Sequence, residues 1–334
     1  MNQCIFVFEF ITGGGLAGEP LPPSLAREGA LMRDALLRDA LELPGGTVLT
    51  LHDARLTPPA AHTAIERIAV ADATGFDAAF NAALARADAV LVVAPETGGV
   101  LAALTGRVEA AGRRLLGCDS ATSALAASKS RTARALAKAG IAVLPHYTDP
   151  DTLPDILGAW AVKPDDGAGC DDLQRLPDRA TAAAALRCAP GRRVAQPWLD
   201  GEACSMNLLC VRGHAALLSV NRQILADDDG RITLAALAVG DIPPSPAHQR
   251  LAQQIAAALP GLLGPVGVDF VETEDGPVVV EINPRMSTSA CALRAATGVN
   301  LIAATLAALK HGRLPEVATL RPQRIVLDDA QVAA

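Results

Sequence analysis

Apolar and polar positions alternate along two neighbouring segments in the last third of the chain. Side chains of a β-strand point alternately to its two faces, so this period of two residues predicts strands. The apolar positions that share one face are Val266, Val268, Phe270, Val278, Val280 and Ile282. Between the segments, Glu274-Asp275-Gly276 is typical of a three-residue loop in which glycine takes the left-handed conformation. The pattern therefore predicts a β-hairpin with one apolar face.

The opposite face of this hairpin carries the candidate chemistry. A three-residue loop pairs Thr273 with Pro277 and, four steps further along, Asp269 with Glu281. Asn283 falls on the same face, so two carboxylates and one amide carbonyl converge on one patch of sheet. These are hard oxygen ligands, which suit Mg²⁺ and the phosphates that accompany it.

Two interpretations of the acidic face are open. One is a surface hairpin with solvated acids. The other is a covered cleft, which is favoured because Val271 and Val279 are predicted to share the acidic face. We therefore expect a metal site at Asp269, Glu281 and Asn283.

The first third of the chain alternates strand and helix patterns. The predicted strands are 4–11, 47–51, 89–94 and 115–118. The predicted helices run from a cap at Ser24 to about Leu43, over 76–87 and over 100–111. This βαβ order predicts a parallel sheet.

A glycine-rich segment after the first strand matches the dinucleotide-binding pattern G-x-G-x-x-G at Gly13, Gly15 and Gly18. In that pattern the last glycine opens a helix whose N-terminus binds pyrophosphate. Prolines at positions 20, 22 and 23 delay the helix here, which disfavours a nicotinamide site. This segment and residues 95–99 can border a ligand cleft at the carboxyl edge of the sheet, or serve only as turns.

The pattern changes after residue 118. A helix capped near Asp119 and Ser120 is predicted to continue past Lys129 and to end at Gly140. Residues 149–154, after this helix, are typical of an exposed turn within a second, mixed domain. We expect three domains, at residues 1–118, 119–195 and 196–334.

A short predicted strand, 160–164, carries Lys163 and leads into a loop with Gly167 and Gly169. A lysine ammonium beside bare backbone N–H groups is a suitable phosphate site. Aspartates at positions 165, 166, 171 and 172 would repel a triphosphate unless they point outward or meet it through a metal. A solvated loop is the alternative.

Composition limits the classes of function. The 334 residues suffice for two or three domains. A net charge of -7 and a pI near 5.4 weigh against a nucleic-acid partner. No apolar run has the length of a transmembrane helix, the first residues lack a basic leader, and the seven cysteines form no C-x-x-C pair. We expect a soluble cytoplasmic protein with no membrane partner.

Four motifs in sequence resemble the ATP-grasp superfamily. They are Lys129 on a helix, Lys163 before a glycine loop, the connection Gln-Pro-Trp-Leu-Asp-Gly-Glu at 196–202, and Asp269 followed by Glu-Ile-Asn-Pro-Arg at 281–285. The resemblance runs from about residue 118 to residue 310. It implies an ATP-grasp fold, of mixed α/β and α+β class, preceded by a Rossmann-like parallel α/β domain.

The resemblance also implies roles for individual residues. Lys129 and Lys163 would contact the phosphates of ATP, together with the loop of Gly167 and Gly169. Gln196, Trp198 and Leu199 would line the adenine site, and Glu202 would bind the ribose hydroxyls. Asp269, Glu281 and Asn283 would hold Mg²⁺, with Mn²⁺ as an alternative ion. This chain departs from the commonest pattern, because Gln196 stands where an acid is frequent and the glycine loop is rich in acids.

Two arginines are candidates for binding an anionic group. The planar guanidinium of Arg285 can hold a phosphate or a carboxylate through two hydrogen bonds. Arg222 has the same capacity but could equally be an ion-paired strand residue. The residues that follow Arg285, Ser287 to Ser289, either cap the next helix or contact substrate.

Two N-terminal stretches, 6–15 and 94–97, are similar to the tyramine-glutamate ligase group of methanofuran synthesis. This similarity implies a carboxylate-amine ligase that forms an acyl phosphate and releases ADP and phosphate. It points to the γ-carboxyl of glutamate and to tyramine, tyrosine or a related amine, in cofactor biosynthesis for one-carbon metabolism. Another ATP-grasp amino-acid or peptide ligase, a nicotinamide-dependent oxidoreductase and a nucleotide-binding module without catalysis are the alternatives. The partners expected are small molecules, and a homodimer is left open.

Overall fold

A computed structural model describes residues 3–167, 172–188 and 192–327. The predicted loop residue Gly169 lies outside the described residues. Two β-sheets organise the chain, a five-stranded parallel sheet and a nine-stranded sheet whose pairings are antiparallel. This is the predicted combination of an α/β part and an α+β part.

The first sheet has the strand order β3-β2-β1-β4-β5, with every pair parallel. Its strands are β1 (Cys4–Glu9), β2 (Thr47–Asp53), β3 (Ile65–Val70), β4 (Ala89–Val93) and β5 (Arg114–Leu115). Its helices are α1 (Pro23–Leu41), α2 (Ala73–Arg86) and α3 (Val100–Ala110). Alternate residues of β1 face two cores, so that Phe6 and Phe8 pack with Phe80 while Val7 packs under Leu36.

Two details of this part differ from the prediction. The edge strand β3 was not predicted, because Glu66 and Arg67 interrupt its apolar pattern at exposed positions. Ser24 does not cap α1, since the helix begins at Pro23 and Pro22 takes the N-cap position without a side-chain hydrogen bond. Proline suits a first helical turn, where its missing N–H has no partner to lose.

The helix predicted from residue 119 to residue 140 is two helices, α4 (Ser120–Ala127) and α5 (Lys129–Lys138). Ser128 separates them with extended backbone angles (φ -91, ψ 106), and its side chain accepts from the Arg131 amide at the start of α5. The break makes Lys129 the first residue of α5. Lys129 therefore lies directly after the N-cap of a helix and not in the middle of a long helix.

The second sheet has the order β13-β12-β9-β10-β11-β7-β6-β8, with β14 paired to β11. The strands are β6 (Trp160–Pro164), β7 (Gln174–Leu176), β8 (Arg193–Pro197), β9 (Glu202–Val211), β10 (His214–Asp228), β11 (Arg231–Ile242), β12 (Gly264–Thr273), β13 (Gly276–Asn283) and β14 (Gln323–Val326). The accompanying helices are α6 (Arg179–Cys188), α7 (Pro246–Ala258), α8 (Leu293–Thr297) and α9 (Leu301–His311). The core beneath α1 also contains Leu218 and Leu301, so both sheets contribute to it.

The hairpin of β12 and β13 has the predicted pairing of Asp269 with Glu281, but its turn and its register differ from the prediction. Thr273 pairs with Gly276 and not with Pro277, so the turn has two residues, Glu274 and Asp275. A bulge between the pairs Phe270↔Val279 and Asp269↔Glu281 then adds the missing residue. A bulge opposes two residues to one and shifts the register by one position. The predicted pairing of Asp269 with Glu281 is confirmed, and the predicted three-residue loop is wrong.

The bulge also exchanges the valines of β13. Val279 is fully buried and packs with Phe270 and Ile282 in the apolar core, whereas Val280 is half-buried. The prediction had placed Val280 on the core face and Val279 beside the acids, because it lacked the bulge. This face is largely covered nonetheless, since Glu281 and Asn283 are each only 8% exposed and Asp269 is half-buried.

A segment that we call the linker, residues 141–147, contacts both ends of the second sheet. Val143 forms a bridge with Val279 on β13, and Tyr147 forms a bridge with Ala195 on β8. β13 and β8 are the two ends of the sheet path. The linker therefore ties one edge of the sheet to the other, and the candidate site lies between these edges.

No single helix among the described residues is long and apolar enough to cross a membrane. Residues 288–297 and 301–311 meet that test only as a pair bent by 87°.

Candidate active site

The three predicted metal ligands lie together. Asp269 and Glu281 face each other across β12 and β13. The Asn283 amide donates to Asp269 Oδ2 at 3.0 Å, and Gln223 Nε2 donates to Asp269 Oδ1 at 2.9 Å. Both oxygens of Asp269 are thus held by amide donors that keep the carboxylate in place.

Two lysines converge on Glu281. Lys163 Nζ donates to Glu281 Oε2 at 2.9 Å, and Lys129 Nζ lies 3.7 Å from the same oxygen. Lys129 also donates to the carbonyl of Gly167, which belongs to the predicted phosphate loop. Both lysines are almost fully buried, at 6% and 7% exposed. The fold therefore gathers groups from α5, β6 and β13.

The two carboxyl groups differ in acidity. Burial raises the pKa of Asp269, and the charge of Glu281 raises it further. Burial also acts to raise the pKa of Glu281, but the Lys129 and Lys163 ammonium groups outweigh it and lower this pKa below its usual range. Glu281 is therefore ionised at neutral pH, whereas ionised Asp269 is opposed by its surroundings.

This donor set fits a hard divalent cation. A cation between Asp269 and Glu281 would remove the repulsion that raises the pKa of Asp269. Within the described ranges there is no group of three or more His, Cys, Asp or Glu side chains that could hold a metal. A site here would hence use the side-chain carbonyl of Asn283 as its third protein ligand and would leave room for phosphate oxygens.

Asp165 positions Lys129, a role that sequence reasoning missed. This carboxylate is 2% exposed and accepts from Ser128 Oγ at 2.7 Å and from the Ser130 amide at 2.8 Å. The Lys129 amide donates to the backbone carbonyl of Asp165 at 2.9 Å. Asp165 thus fastens the start of α5 to the end of β6. The serines on both sides of Lys129 were the available signal, since they supply donors at a helix N-terminus.

The predicted adenine-binding residues lie at the end of β8. Gln196 is 1% exposed, and its side-chain amide contacts the ring of His146 on the linker at 3.0 Å. Trp198 has the guanidinium of Arg175 stacked 5.0 Å above its ring. Leu199 is half-buried beside it. His146 was not among the predicted site residues because no local pattern relates it to Gln196.

Glu202 and Arg222 are ion-paired with each other, and Arg222 Nε also donates to Asp241 at 3.1 Å. These side chains are more than one-third exposed. Glu202 is the first residue of β9, and Arg222 lies in the middle of β10. Arg222 was predicted either to bind an anionic group or to be an ion-paired strand residue. In this structure it is ion-paired. Glu202 would exchange this partner if it bound ribose.

Arg285 reaches the loop after β4. Its Nη2 donates to Glu96 Oε2 at 2.9 Å, and its Nη1 donates to the carbonyl of Met286. Glu96 Oε1 and Arg285 Nε are buried without a partner among the described residues. In the same loop, the Gly98 amide donates to Asp166 Oδ2 at 3.0 Å. The N-terminal part therefore closes the site from one side.

The glycine segment after β1 is a folded turn. The guanidinium of Arg55 donates to the carbonyls of Leu16 and Glu19, at 2.8 and 2.6 Å. A Cβ on Gly15 would lie 2.2 Å from the ring of Phe10, so the turn packs closely on the end of β1. The helix begins five residues beyond Gly18, at Pro23, and the segment lacks the strand-turn-helix geometry of a pyrophosphate site.

Ser287 occupies a helix N-cap position but makes no side-chain cap hydrogen bond. The hydroxyls of Ser287 and Ser289 lie 3.3 and 3.1 Å from Asn207 Oδ1 on β9. Capping was one of the two expected roles, and the structure instead places these hydroxyls in a polar network across the sheet. Gly267 allows it, because a Cβ there would lie 3.1 Å from Ser287.

Comparisons with protein-family models match two parts of this chain. Residues 126–289 match the ATP-grasp domain, and residues 47–122 match the pre ATP-grasp 3 domain. A search of curated proteins found no match.

The chain is similar to solved structures over most of its length. One is a protein described as an ATP-grasp superfamily member from Archaeoglobus fulgidus, with TM-score 0.70 and 24% identity, covering 97% of this chain and 92% of that one. Another is an L-amino acid ligase from Bacillus licheniformis, with TM-score 0.66, 17% identity and coverages of 97% and 79%. A third is an N5-carboxyaminoimidazole synthase from Aspergillus clavatus, with TM-score 0.67, 18% identity and coverages of 97% and 81%. At these identities the likeness establishes the fold.

Proposed function

Because this chain belongs to the ATP-grasp superfamily, we propose that it is an ATP- and Mg²⁺-dependent ligase that joins a carboxylate to an amine. One observation carries the proposal. Two buried lysines, Lys129 and Lys163, meet the carboxylate of Glu281, which stands opposite Asp269. A site that gathers buried cations and acidic oxygens in one cleft suits a polyphosphate that is accompanied by a divalent cation.

The reaction proceeds in two steps. The substrate carboxylate attacks the γ-phosphorus of ATP, the bond to the β-phosphate oxygen breaks, and ADP leaves with an acyl phosphate formed. The amine then attacks the acyl carbon, the bond to phosphate breaks, and the amine nitrogen loses a proton as the amide forms. The protein stabilises charge and positions the reactants, as is general for phosphoryl transfer.

Each residue of the site has a proposed part in these steps. Lys129, Lys163 and the loop of Gly167 and Gly169 hold the phosphates. Arg285 holds an anionic group of the substrate, and Arg222 is a second candidate for that role. Asp269, Glu281 and Asn283 would hold Mg²⁺, or Mn²⁺ in its place, which supplies positive charge next to the transferring phosphoryl group.

Gln196, Trp198 and Leu199 contact adenine in this proposal, and Glu202 contacts ribose after releasing Arg222. The division into domains at residues 1–118, 119–195 and 196–334 is part of the same proposal. So are the cytoplasmic location and the absence of nucleic-acid and membrane partners.

For the substrates, we propose the γ-carboxyl of glutamate and tyramine, tyrosine or a related amine, in the synthesis of a methanofuran-type cofactor. The stretches 6–15 and 94–97 support this choice by their similarity to the tyramine-glutamate ligase group. The alternative within the superfamily is another amino-acid or peptide ligase. It is supported by the fold shared with the Bacillus licheniformis L-amino acid ligase.

The test is release of ADP and phosphate from Mg-ATP and glutamate as a panel of amines is added, with the product mass measured. We expect amine-dependent release and a product equal in mass to glutamate plus amine minus water. Glu281→Ala should abolish it, whereas Glu274→Ala, on the exposed turn of the same hairpin, should retain it. Equal ADP release by Glu281→Ala would sink the proposal. Binding of ATP without turnover for any pair of substrates would instead favour a nucleotide-binding module.

A further inference from the structure

The ring of His146 has a defined tautomer. Its Nδ1 lies 2.8 Å from the carbonyl oxygen of Leu144. A carbonyl only accepts, so Nδ1 carries the proton, and in the neutral ring Nε2 is a bare acceptor. Burial, together with the charge of Lys163, lowers the pKa of His146 to about 4, which keeps the ring neutral at pH 7.

The tautomer of His146 dictates the orientation of the Gln196 side chain. The bare Nε2 of His146 lies 3.0 Å from Nε2 of Gln196, and only the amide nitrogen of that pair has a hydrogen to donate. Turned by 180°, the amide would bring its oxygen against a lone pair, which is repulsive. The NH₂ end of Gln196 therefore faces the linker, and Oε1 faces away from it.

The linker is itself held in place, so the orientation is not easily lost. The Leu144 amide donates to the carbonyl of Val279 on β13 at 2.9 Å, and the Tyr147 amide donates to the carbonyl of Ala195 on β8 at 2.9 Å. These bonds flank His146. A chain of contacts thus runs from the hairpin of β12 and β13, through Leu144 and His146, to Gln196.

We propose that His146 is a positioning residue for selection of the nucleotide base, because it fixes Gln196 with Oε1 as an acceptor for the exocyclic amine of adenine. This inference rests on the proposed function, which places adenine at Gln196. An acid at this position needs no such control, since both of its oxygens accept. An amide can offer either a donor or an acceptor, and a glutamine that was free to turn would accept a base with an exocyclic oxygen as readily as adenine.

The test compares the binding of ATP and of ITP, which carries an oxygen where ATP carries the exocyclic amine. Calorimetry with Mg²⁺, and without carboxylate or amine, measures both dissociation constants with no turnover. Wild type should prefer ATP. In His146→Phe the glutamine can turn, so ATP affinity should fall, ITP affinity should rise, and the preference should shrink roughly tenfold or more, as expected for a buried polar group that loses its match.

A double variant and a control make the result specific. His146→Phe combined with Gln196→Glu should recover the preference for ATP, because a carboxylate accepts in either orientation. Tyr147→Phe, which changes the neighbouring linker residue, should leave the preference unchanged. If His146→Phe does not fold, His146→Gln replaces it, since a flexible amide there imposes no single orientation.

Two outcomes overturn the inference. An unchanged preference in His146→Phe does so, and this includes an equal loss of affinity for both nucleotides, which would be a merely structural effect. Failure of Gln196→Glu to restore the preference also does so. If wild type binds neither nucleotide, the proposed function fails and this inference fails with it, whereas the other outcomes leave the proposed function standing.

Discussion

At the scale of single residues, two buried carboxylates hold residues of the site in place. Each is far along the sequence from the residue that it contacts. Asp165 acts on Lys129 across 36 positions and Glu96 acts on Arg285 across 189. Buried carboxylates need partners of this kind, because an unpaired buried charge is costly. Replacing either carboxylate should therefore change stability or ligand binding more than replacing an acid on the surface.

We expect Asp165→Asn to weaken Mg-ATP binding through Lys129. The carboxylate receives hydrogen bonds from Ser128 and from the Ser130 amide, and asparagine would set its own NH₂ against one of these donors. The loss should lower the free energy of unfolding by about 1–3 kcal/mol, and we expect roughly tenfold weaker Mg-ATP binding. Denaturant titration and calorimetry measure the two effects. Asp275→Asn, on the exposed turn, is the matched control, and equal behaviour of the two variants would remove Asp165 from the site.

Glu96→Ala should destabilise the fold as well as the site. It would leave Arg285, whose side chain is 11% exposed, without its charged partner. Breaking a buried ion pair from one side costs about 3–5 kcal/mol. Glu66→Ala removes an ion pair with Arg86 whose side chains are nearly half exposed, and it should change stability far less. Similar unfolding midpoints in urea for the two variants would contradict the assignment of Glu96 as a buried partner.

At the scale of elements, the hairpin of β12 and β13 shows what sequence could and could not predict. The alternation of apolar residues located the two strands, and the pairing of Asp269 with Glu281 followed from it. The turn length and the bulge at Val280 were not predictable, because a two-residue turn plus a bulge and a three-residue loop give the same pairing beyond the bulge. The break at Ser128 was missed because helix-forming residues lie on both sides of it, although Ser128 caps α5 and also donates to Asp165.

The turn of this hairpin depends on Gly276. Its φ is +112°, and a Cβ built there meets nothing within 4 Å, so a side chain would strain only the backbone. Gly276→Ala should lower the free energy of unfolding by about 1–2 kcal/mol. Gly117→Ala is the control, because a Cβ there also meets nothing within 4 Å and its φ is not positive. Thermal unfolding that is the same for both would show that the turn does not need glycine.

At the scale of the whole molecule, contacts of loops and helices join the N-terminal part to the part that carries the site. The sequence predicted that both parts exist, from the βαβ order and the four motifs. It did not predict how they meet, because the joining contacts couple residues about 190 to 260 positions apart, as in Arg285 with Glu96 and Leu301 with Asp39. Such pairs leave no periodic pattern in a single sequence.

Asp39, on α1, gives this junction a pH dependence. Its Oδ2 accepts from the Leu301 amide at the start of α9, its Oδ1 has no partner among the described residues, and burial raises its pKa from 3.8 to about 6. The folded chain therefore binds the proton of the Asp39 carboxyl more tightly than the unfolded chain does. The contribution of this protonation to stability is full below pH 3.8 and is lost as the pH rises through 6.

We therefore expect the stability of wild type, relative to Asp39→Asn, to decline between about pH 4 and pH 6.5. Asparagine can still accept from the Leu301 amide but does not titrate. Unfolding in urea at a series of pH values measures the difference, and Asp34→Asn, a more exposed acid on the same helix, is the control. A difference between wild type and Asp39→Asn that is constant with pH would refute the assignment.

The linker that bridges β13 and β8 also limits the mechanics of the cleft. Val143 is tied to one edge and Tyr147 to the other, with four residue steps between them. A fully extended chain spans at most about 3.3–3.6 Å per residue, so this tether reaches roughly 14 Å. The reach of this tether bounds the width of the opening between the two edges. A nucleotide would then enter a mouth of limited width, and enlarging that mouth would require breaking the linker's bridges to β13 or β8.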